Sequence, residues 1–291
     1  MPPPAEHDLP TELAAKTERL LEVLRSLGSA AVALSGGIDS TVVAKAACLA
    51  LGERAVAVTG DSASVPRSEL AEARRLAELI GIRHVVLSTR EFDDPDYLRN
   101  DGSRCYHCKT ELYDQIAARL ADLGVQHICS GANLDDLGDY RPGLQAAAEH
   151  AVRHPLQEAG FTKADVRALA RFWGLPTWDK PASPCLSSRV APGVPVTIER
   201  TARIEAAEAF LRARGFRDCR VRLHEGELAR VEVPIDGIDK FLEPAFRAEF
   251  ATELKRLGFR FVTLDLEGLR SGSLNDLIDL NTKRRYQAEV K

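Results

Sequence analysis

A chain of 291 residues with 45% hydrophobic and 28% charged residues can bury two separate cores and is far from the composition of a disordered segment. Its net charge of −4 excludes the broad basic field of a bulk nucleic-acid binder and leaves room only for a local patch, so small substrates are expected ahead of RNA. No apolar run reaches the length of a membrane span, and the Met1-Pro-Pro-Pro start lacks the basic and apolar regions of a signal peptide, so a cytoplasmic location without a membrane partner is expected.

After the proline-rich tail, residues 8–27 read as an amphipathic helix with Leu13, Leu20, Leu21 and Leu24 on one stripe, stopped by Gly28. Strand 30–34, helix 40–51, strand 55–59, helix 66–80, strand 83–88, a long loop, helix 109–122 and strand 126–130 follow. Strands alternating with such helices predict an α/β fold, a parallel sheet flanked by crossover helices, whose ligands bind beyond the carboxyl ends of the strands. Four segments fall there: 35–40, Thr59-Gly60-Asp61-Ser62, the residues after Ser88, and Ser130-Gly131-Ala132-Asn133. Helix 162–173 is next, with Thr162 as N-cap and Gly174 at its end, and then a loop, 179–189, of prolines and small residues without an apolar period. From Pro195 the pattern changes to helix 198–214, strands 219–224 and 228–233, helix 241–257 and strand 260–265, a smaller α+β unit. The expected domains are therefore 1–192 and 193–291.

The segment between the first strand and its helix, Ser35-Gly36-Gly37-Ile38-Asp39-Ser40, carries the chemistry of a phosphate-binding turn. Gly36 and Gly37 let backbone N–H groups approach an anion, the helix start adds unpaired donors and the positive end of its dipole, and Ser35, Ser40 and Thr41 add hydroxyls. Asp39 is unwelcome beside phosphate unless a divalent cation lies between them, so magnesium is implied. The spacing and the missing lysine exclude the Walker A loop. The segment resembles instead the PP-loop of the adenylating ATP pyrophosphatases. That resemblance implies that the loop holds the β,γ-pyrophosphate of ATP while a substrate attacks the α-phosphate, and that Gly131, after the fourth strand, lets AMP approach closely.

Six cysteines in a cytoplasmic chain are not a disulfide framework. Cys48, Cys129 and Cys219 fall within a helix and two strands and read as core residues. Cys105 and Cys108 form Cys-Tyr-His-Cys, open to three readings: redox dithiol, half of a zinc site, or part of an iron–sulfur site. A closed four-cysteine zinc site lacks ligands; Cys185 adds a third thiol, and a Cys₃His zinc site using His107 stays open as the rival. Arg220 and Arg222, two apart on a strand, face one side, which suits either a phosphate or a solvated basic surface.

Several segments together resemble the LarE family of ATP-dependent sulfur transferases: the PP-loop, Arg104-Cys105-Tyr106-His107-Cys108-Lys109, Gly138-Asp139-Tyr140-Arg141-Pro142-Gly143-Leu144, the residues from Lys180 to Arg189, Arg220-Val221-Arg222, and Leu269-Arg270-Ser271-Gly272. The resemblance spans nearly the whole chain. It implies a PP-loop domain with a smaller C-terminal domain, and conversion of the carboxylates of pyridinium-3,5-biscarboxylic acid mononucleotide to thiocarboxylates for the nickel-pincer nucleotide of lactate racemase. Cys105, Cys108 and Cys185 match members that hold a [4Fe–4S] cluster with three cysteines, leaving one iron open for sulfide from an external donor. The best-known members sacrifice a cysteine in an Ala-Ser-Cys segment; Pro184 occupies that position here, with Cys185 one residue on, so sacrifice of Cys185 stands as the alternative. The resemblance further implies Lys109 as a counter-charge to phosphate, Ser188 and Arg189 near the activated carboxylate, Glu208 as an acid near the site, Arg220 and Arg222 on the substrate phosphate, and a homo-oligomer. A PP-loop tRNA thiolation enzyme is the other enzymatic reading, and a nucleotide-sensing or iron–sulfur scaffold without turnover the non-enzymatic one.

Overall fold

Four short parallel strands, β1 (Ala30–Ala33), β2 (Ala55–Asp61), β3 (Arg83–Ser88) and β4 (His127–Cys129), lie in the order β3-β2-β1-β4 in the computed structural model, which describes residues 9–137, 140–270 and 272–286. Gly138, Asp139 and Ser271 of the motifs quoted above, and residues 1–8 of the tail, lie outside the described residues. The alternation of a strand explains the layering. Ala30, Val32, Ala55 and Ala57 pack into one core with α1 (Thr11–Leu27), α2 (Ile38–Leu51) and α9 (Lys163–Phe172), whereas Ala31, Ala33, Val56 and Val58 pack into another with α5 (Arg104–Ala117) and α7 (Pro142–Glu149). Small residues on the central strands let helices close on both faces. The buried face of α1 is Leu13, Thr17, Leu20, Leu24 and Leu27, with Leu21 of the expected stripe only partly buried; Leu20 and Leu24 are fully enclosed, each side chain supplying about 2 kcal/mol of burial.

The crossover helix α3 (Arg67–Ile80) ends at Gly81 in the left-handed conformation (φ 78°). The helix expected over 109–122 instead begins at Arg104 and stops at Ala117, with a short α6 (Leu120–Leu123) after it. Cys105 thus lies in the first turn of the helix, and Cys108 and Lys109 in the second. Three helices in the loops were not anticipated: α4 (Pro95–Arg99), where Asp94 caps the backbone N–H of Asp96, α7 (Pro142–Glu149) and α8 (Pro155–Glu158). Thr162 caps α9 as expected, in a reciprocal capping box with Asp165.

The second sheet has the order β5-β6-β7, with β5 (Arg220–His224) antiparallel to β6 (Leu228–Glu232) and β6 parallel to β7 (Phe261–Leu264). Helices α10 (Ile198–Ala213) and α11 (Pro244–Arg256) complete its core with Phe216, Phe241, Phe246 and Phe250. The expected helix 241–257 starts only at Pro244, because a 3₁₀ stretch, Ile235–Leu242, precedes it and the proline opens the new helix. This core also takes in Leu186, Val190 and Ala191, and the Ala191 N–H donates to the Leu223 carbonyl (2.9 Å) on the free edge of β5. The Cys185 loop is thereby fastened to the second sheet. A final short helix, α12 (Leu280–Arg285), is capped by Asp279, and no helix among the described residues is long and apolar enough to cross a membrane.

Candidate active site

The chain leaves β1 with the Leu34 N–H still paired to the Val58 carbonyl (2.8 Å), then turns at Gly36, whose φ of 75° favours glycine, and enters α2 at Ile38. Ser40 fastens the turn: its Oγ accepts from the Ser35 N–H (3.2 Å) and donates to the Gly37 carbonyl (3.1 Å), and Thr41 Oγ1 donates to the same carbonyl (2.7 Å). Ser35 stays exposed at the lip. Gly131 is held against this turn from β4. A Cβ there would stand 2.6 Å from the Ser40 nitrogen and 2.9 Å from the Asp39 carbonyl carbon, so the close approach it permits is that of the fourth strand to the PP-loop backbone itself.

Asp39 has both oxygens engaged. Asn133 Nδ2 donates to Oδ1 (3.0 Å), and Lys163 Nζ donates to Oδ2. Lys180 reaches the other side of the turn, donating to the Gly36 carbonyl (3.0 Å) and pairing with Glu69 (2.6 Å). Asn133 followed the last strand of the sheet, where ligand-binding segments were expected, but neither it nor Lys163 nor Lys180 was singled out. The signal was position alone: the first residue of α9 and the first residue of the proline-rich loop.

Five residues beyond Lys180 stands Cys185, within about 18 Å of extended chain. The Leu186 N–H donates to the Ser64 carbonyl (2.7 Å), which docks this loop on the segment after β2. The three thiols share one neighbourhood: the charges of Cys105, Cys108 and Cys185 all act on the Arg104 guanidinium and on the Lys109 ammonium. Lys109 is held well protonated, first by the Tyr113 ring oxygen and then, against burial, by these thiols; its ammonium lies 6.0 Å from the Tyr113 centroid and Gly143 packs on its stem. Burial first, and the Glu91 carboxylate second, push the Cys108 thiol up.

A single tetrahedral ion does not fit the three sulfurs as they stand. Among the described residues the three sulfurs do not gather within 4.8 Å of one another, whereas tetrahedral zinc at Zn–S about 2.3 Å needs them within about 3.8 Å. A cube takes each thiolate at a separate iron. His107 is turned away from the thiols, its Nδ1 3.1 Å from Asp94.

Two devices hold the Cys185 loop. Asn100, buried and in the left-handed region (φ 55°), donates through Nδ2 to the Val190, Ala191 and Val194 carbonyls (3.2, 2.8 and 2.9 Å), and Tyr97 and Ser187 share a hydroxyl bond (2.7 Å). From below, Arg189 donates to the Pro184 carbonyl and to the Cys185 carbonyl (2.7 Å), while Ser188 Oγ also donates to Cys185 (2.6 Å). Arg189 and Glu208 are both fully buried, paired at 3.0 Å, and Glu208 also accepts from Arg212 (2.7 Å) and the Val221 N–H (3.2 Å). Both therefore lie under the loop, where their contacts are with protein.

Arg220 and Arg222 share a face of β5, with Val221 and Leu223 turned to the core. Arg222 pairs with Glu232 (2.9 Å) and donates to the Ser188 carbonyl (3.2 Å); Arg220 donates to the Ala182 carbonyl (2.6 Å). Burial, then the neighbouring Arg189 and Arg222 charges, pull the Arg220 guanidinium below its ordinary value. His224 Nε2 and Arg230 Nε on the same face are buried without a hydrogen-bond partner. Three guanidiniums, those of Arg189, Arg220 and Arg222, thus stand beside the Cys185 loop.

The protein-family model for asparagine synthase matches residues 20–116. The chain is 44% identical over 266 residues to an uncharacterized protein of Synechocystis, covering 91% of this chain and 99% of that one. It is 40% identical over 268 residues to the pyridinium-3,5-bisthiocarboxylic acid mononucleotide synthase of Lactiplantibacillus plantarum, covering 91% of this chain and 96% of that enzyme. A tRNA-specific 2-thiouridylase of Desulforamulus reducens is 27% identical over 192 residues, 52% of either chain.

Proposed function

We propose, on the premise that this chain belongs to the LarE family of PP-loop, ATP-dependent sulfur transferases, that it converts the carboxylates of pyridinium-3,5-biscarboxylic acid mononucleotide to thiocarboxylates. The observation that carries this reading is the placement of Cys185 on a loop whose other end, Lys180, touches the PP-loop, with Cys105 and Cys108 of α5 acting on the same Lys109 ammonium.

The turn at 35–40 holds the β,γ-phosphates of ATP through its backbone N–H groups and the Ser35 and Ser40 hydroxyls, with Lys163 and Lys180 supplying positive charge; Asp39, bonded here to Asn133 and Lys163, would be the residue to hold magnesium. A substrate carboxylate oxygen attacks the α-phosphorus, the bond to the β-phosphate breaks, and pyrophosphate leaves. The resulting acyl adenylate has the leaving group that a bare carboxylate lacks. Arg220 and Arg222 hold the nucleotide phosphate; Arg189 and Glu208 set the height of the Cys185 loop. Sulfur then bonds to the carbonyl carbon, the carbonyl carbon–oxygen bond to AMP breaks, and AMP departs with the electron pair. When bound, a [4Fe–4S] cluster on Cys105, Cys108 and Cys185 supplies an open iron for sulfide from an external donor, so that the protein keeps its own sulfur. Lys109 and Arg104 balance the negative charge of the three thiolates.

Intact mass after turnover with magnesium, ATP and substrate tests this directly. Pyrophosphate release that requires the carboxylate substrate, with unchanged protein mass, is expected. Loss of one H₂S, with dehydroalanine at position 185, would establish sacrifice of Cys185 instead, and a protein that binds ATP without releasing pyrophosphate would overturn the enzymatic reading.

A further inference from the structure

Glu91 follows β3 at the carboxyl end of the first sheet, in the 3₁₀ turn Glu91–Asp93, and is 2% exposed. Both hydroxyl donors near it go to one oxygen: Ser62 Oγ (2.5 Å) and Ser64 Oγ (2.9 Å) donate to Oε1. The two serines also touch each other (2.9 Å), so the carboxyl group is fixed in rotation. Its second oxygen, Oε2, is buried with no hydrogen-bond partner. A buried carboxylate oxygen without a donor is costly, and native structures keep few of them.

Through Ser64, Glu91 is joined to the Cys185 loop. Ser64, which orients Oε1, takes the Leu186 N–H on its carbonyl, one residue from Cys185. Phe92, the residue after Glu91, and Cys108 pack against the same core that takes in Leu186. The nearby cations do not reach it: among the described residues Glu91 has no ion pair, and Arg104 is engaged with the Asn100 side chain. A buried acceptor beside the thiol site that lacks a donor calls for a donor that arrives with the sulfur. Hydrosulfide is such a donor; sulfide without its proton is not.

We propose that Glu91 is the positioning residue for sulfur in this protein: Oε2 accepts the S–H hydrogen bond of a hydrosulfide held at the Cys105, Cys108 and Cys185 site, and so turns the sulfur lone pair toward the activated carbonyl. This rests on the three-thiol cluster reading above. Ser62 and Ser64 are part of the device, since they hold Oε1 and leave Oε2 free.

The test is an anaerobic titration of the iron-reconstituted protein with sodium hydrosulfide, followed by absorption and calorimetry, with iron per chain measured in every sample. At equal iron content, Glu91→Gln should bind hydrosulfide roughly tenfold more weakly or worse, the scale of a hydrogen bond to a charged group, because the amide oxygen takes the serine donors and presents N–H to the sulfur. Glu91→Asp should recover part of the affinity. Where Glu91→Gln fails to load iron, Ser64→Ala, which loosens the carboxylate, should weaken binding in the same direction. Equal hydrosulfide affinity in wild type and Glu91→Gln, or in wild type and Ser64→Ala, overturns the role of Glu91 and leaves the cluster reading standing. A wild-type protein that takes up no iron overturns both.

Discussion

Arg189 and Glu208 face each other at 3.0 Å with neither side chain reaching solvent, and the same guanidinium carries the carbonyls of Pro184 and Cys185. The pair ties α10 to the loop that presents the third thiol. Removing one partner leaves the other charge buried and uncompensated. Glu208→Gln should therefore cost about 3–5 kcal/mol of stability, read as a lowered urea midpoint, and should expose the 184–190 segment to limited proteolysis. A Glu208→Gln protein with wild-type stability and slow turnover would instead place this carboxylate in contact with substrate.

Gly131→Ala tests how closely β4 and the PP-loop are joined. The added methyl group would meet the Ser40 nitrogen at 2.6 Å, and both contacts are backbone, which cannot rotate aside. The turn must shift. A loss of about 1–3 kcal/mol is expected with weakened ATP binding, measured by thermal melting with and without magnesium-ATP. Wild-type values for both would show that the turn tolerates displacement.

The Asn100 side chain spans three carbonyls of the 190–194 strip from a left-handed backbone position. Asn100→Gly keeps the backbone geometry and removes only the bonds; Asn100→Ala loses both. Loss of each buried bond exposes an unpaired carbonyl at about 1 kcal/mol or more, so both variants should be destabilised, Ala more than Gly. Equal melting temperatures for the two would refute the backbone part of this account.

The PP-loop and the parallel sheet were legible because each has a local signature: glycine and hydroxyl spacing, and alternating element lengths. Asn100, Lys163, Lys180 and Glu91 were not. Their roles come from what the fold brings beside them, namely carbonyls about 90 residues away for Asn100, Asp39 for Lys163 and two serines for Glu91. Helix α5 was started five residues late because Arg104-Cys105-Tyr106-His107-Cys108 has no cap and no apolar period; it is the packing of α5 against the sheet through Tyr113 and Ile116 that carries the helix back to Arg104.

Buried imidazoles set the acid limit. Burial first pulls His84, His154 and His224 below the ordinary histidine value; His84 is bonded to Thr59 (2.8 Å) and His154 to Ser130 (2.7 Å). The folded protein then binds fewer protons than the unfolded chain, so this contribution is fully present above about pH 6.5 and is lost as pH falls through the lower folded values. Melting temperature should decline from pH 7.5 to 5.5, and His154→Gln should flatten that decline. A slope unchanged by His154→Gln would assign the acid sensitivity elsewhere.

Lys180 joins the two halves of the reaction, since its ammonium rests on the Gly36 carbonyl and Glu69 while its chain leads to Cys185. With ATP absent, Glu69 neutralises it; phosphate oxygens arriving at the turn offer a second and stronger set of acceptors. Lys180→Met removes the charge and keeps most of the apolar stem, so folding should be little affected while ATP binding falls by about tenfold to a hundredfold, the range of hydrogen bonds to charged groups. The loss should shrink at high ionic strength, where the wild-type attraction is itself screened. Measuring substrate-dependent pyrophosphate exchange against ATP concentration at two salt levels separates this from a structural defect: a binding charge raises the ATP concentration needed for half-maximal exchange, whereas a misplaced loop lowers the maximum at every concentration. A lowered maximum with unchanged ATP dependence would mean that Lys180 serves the Cys185 loop and not the phosphates.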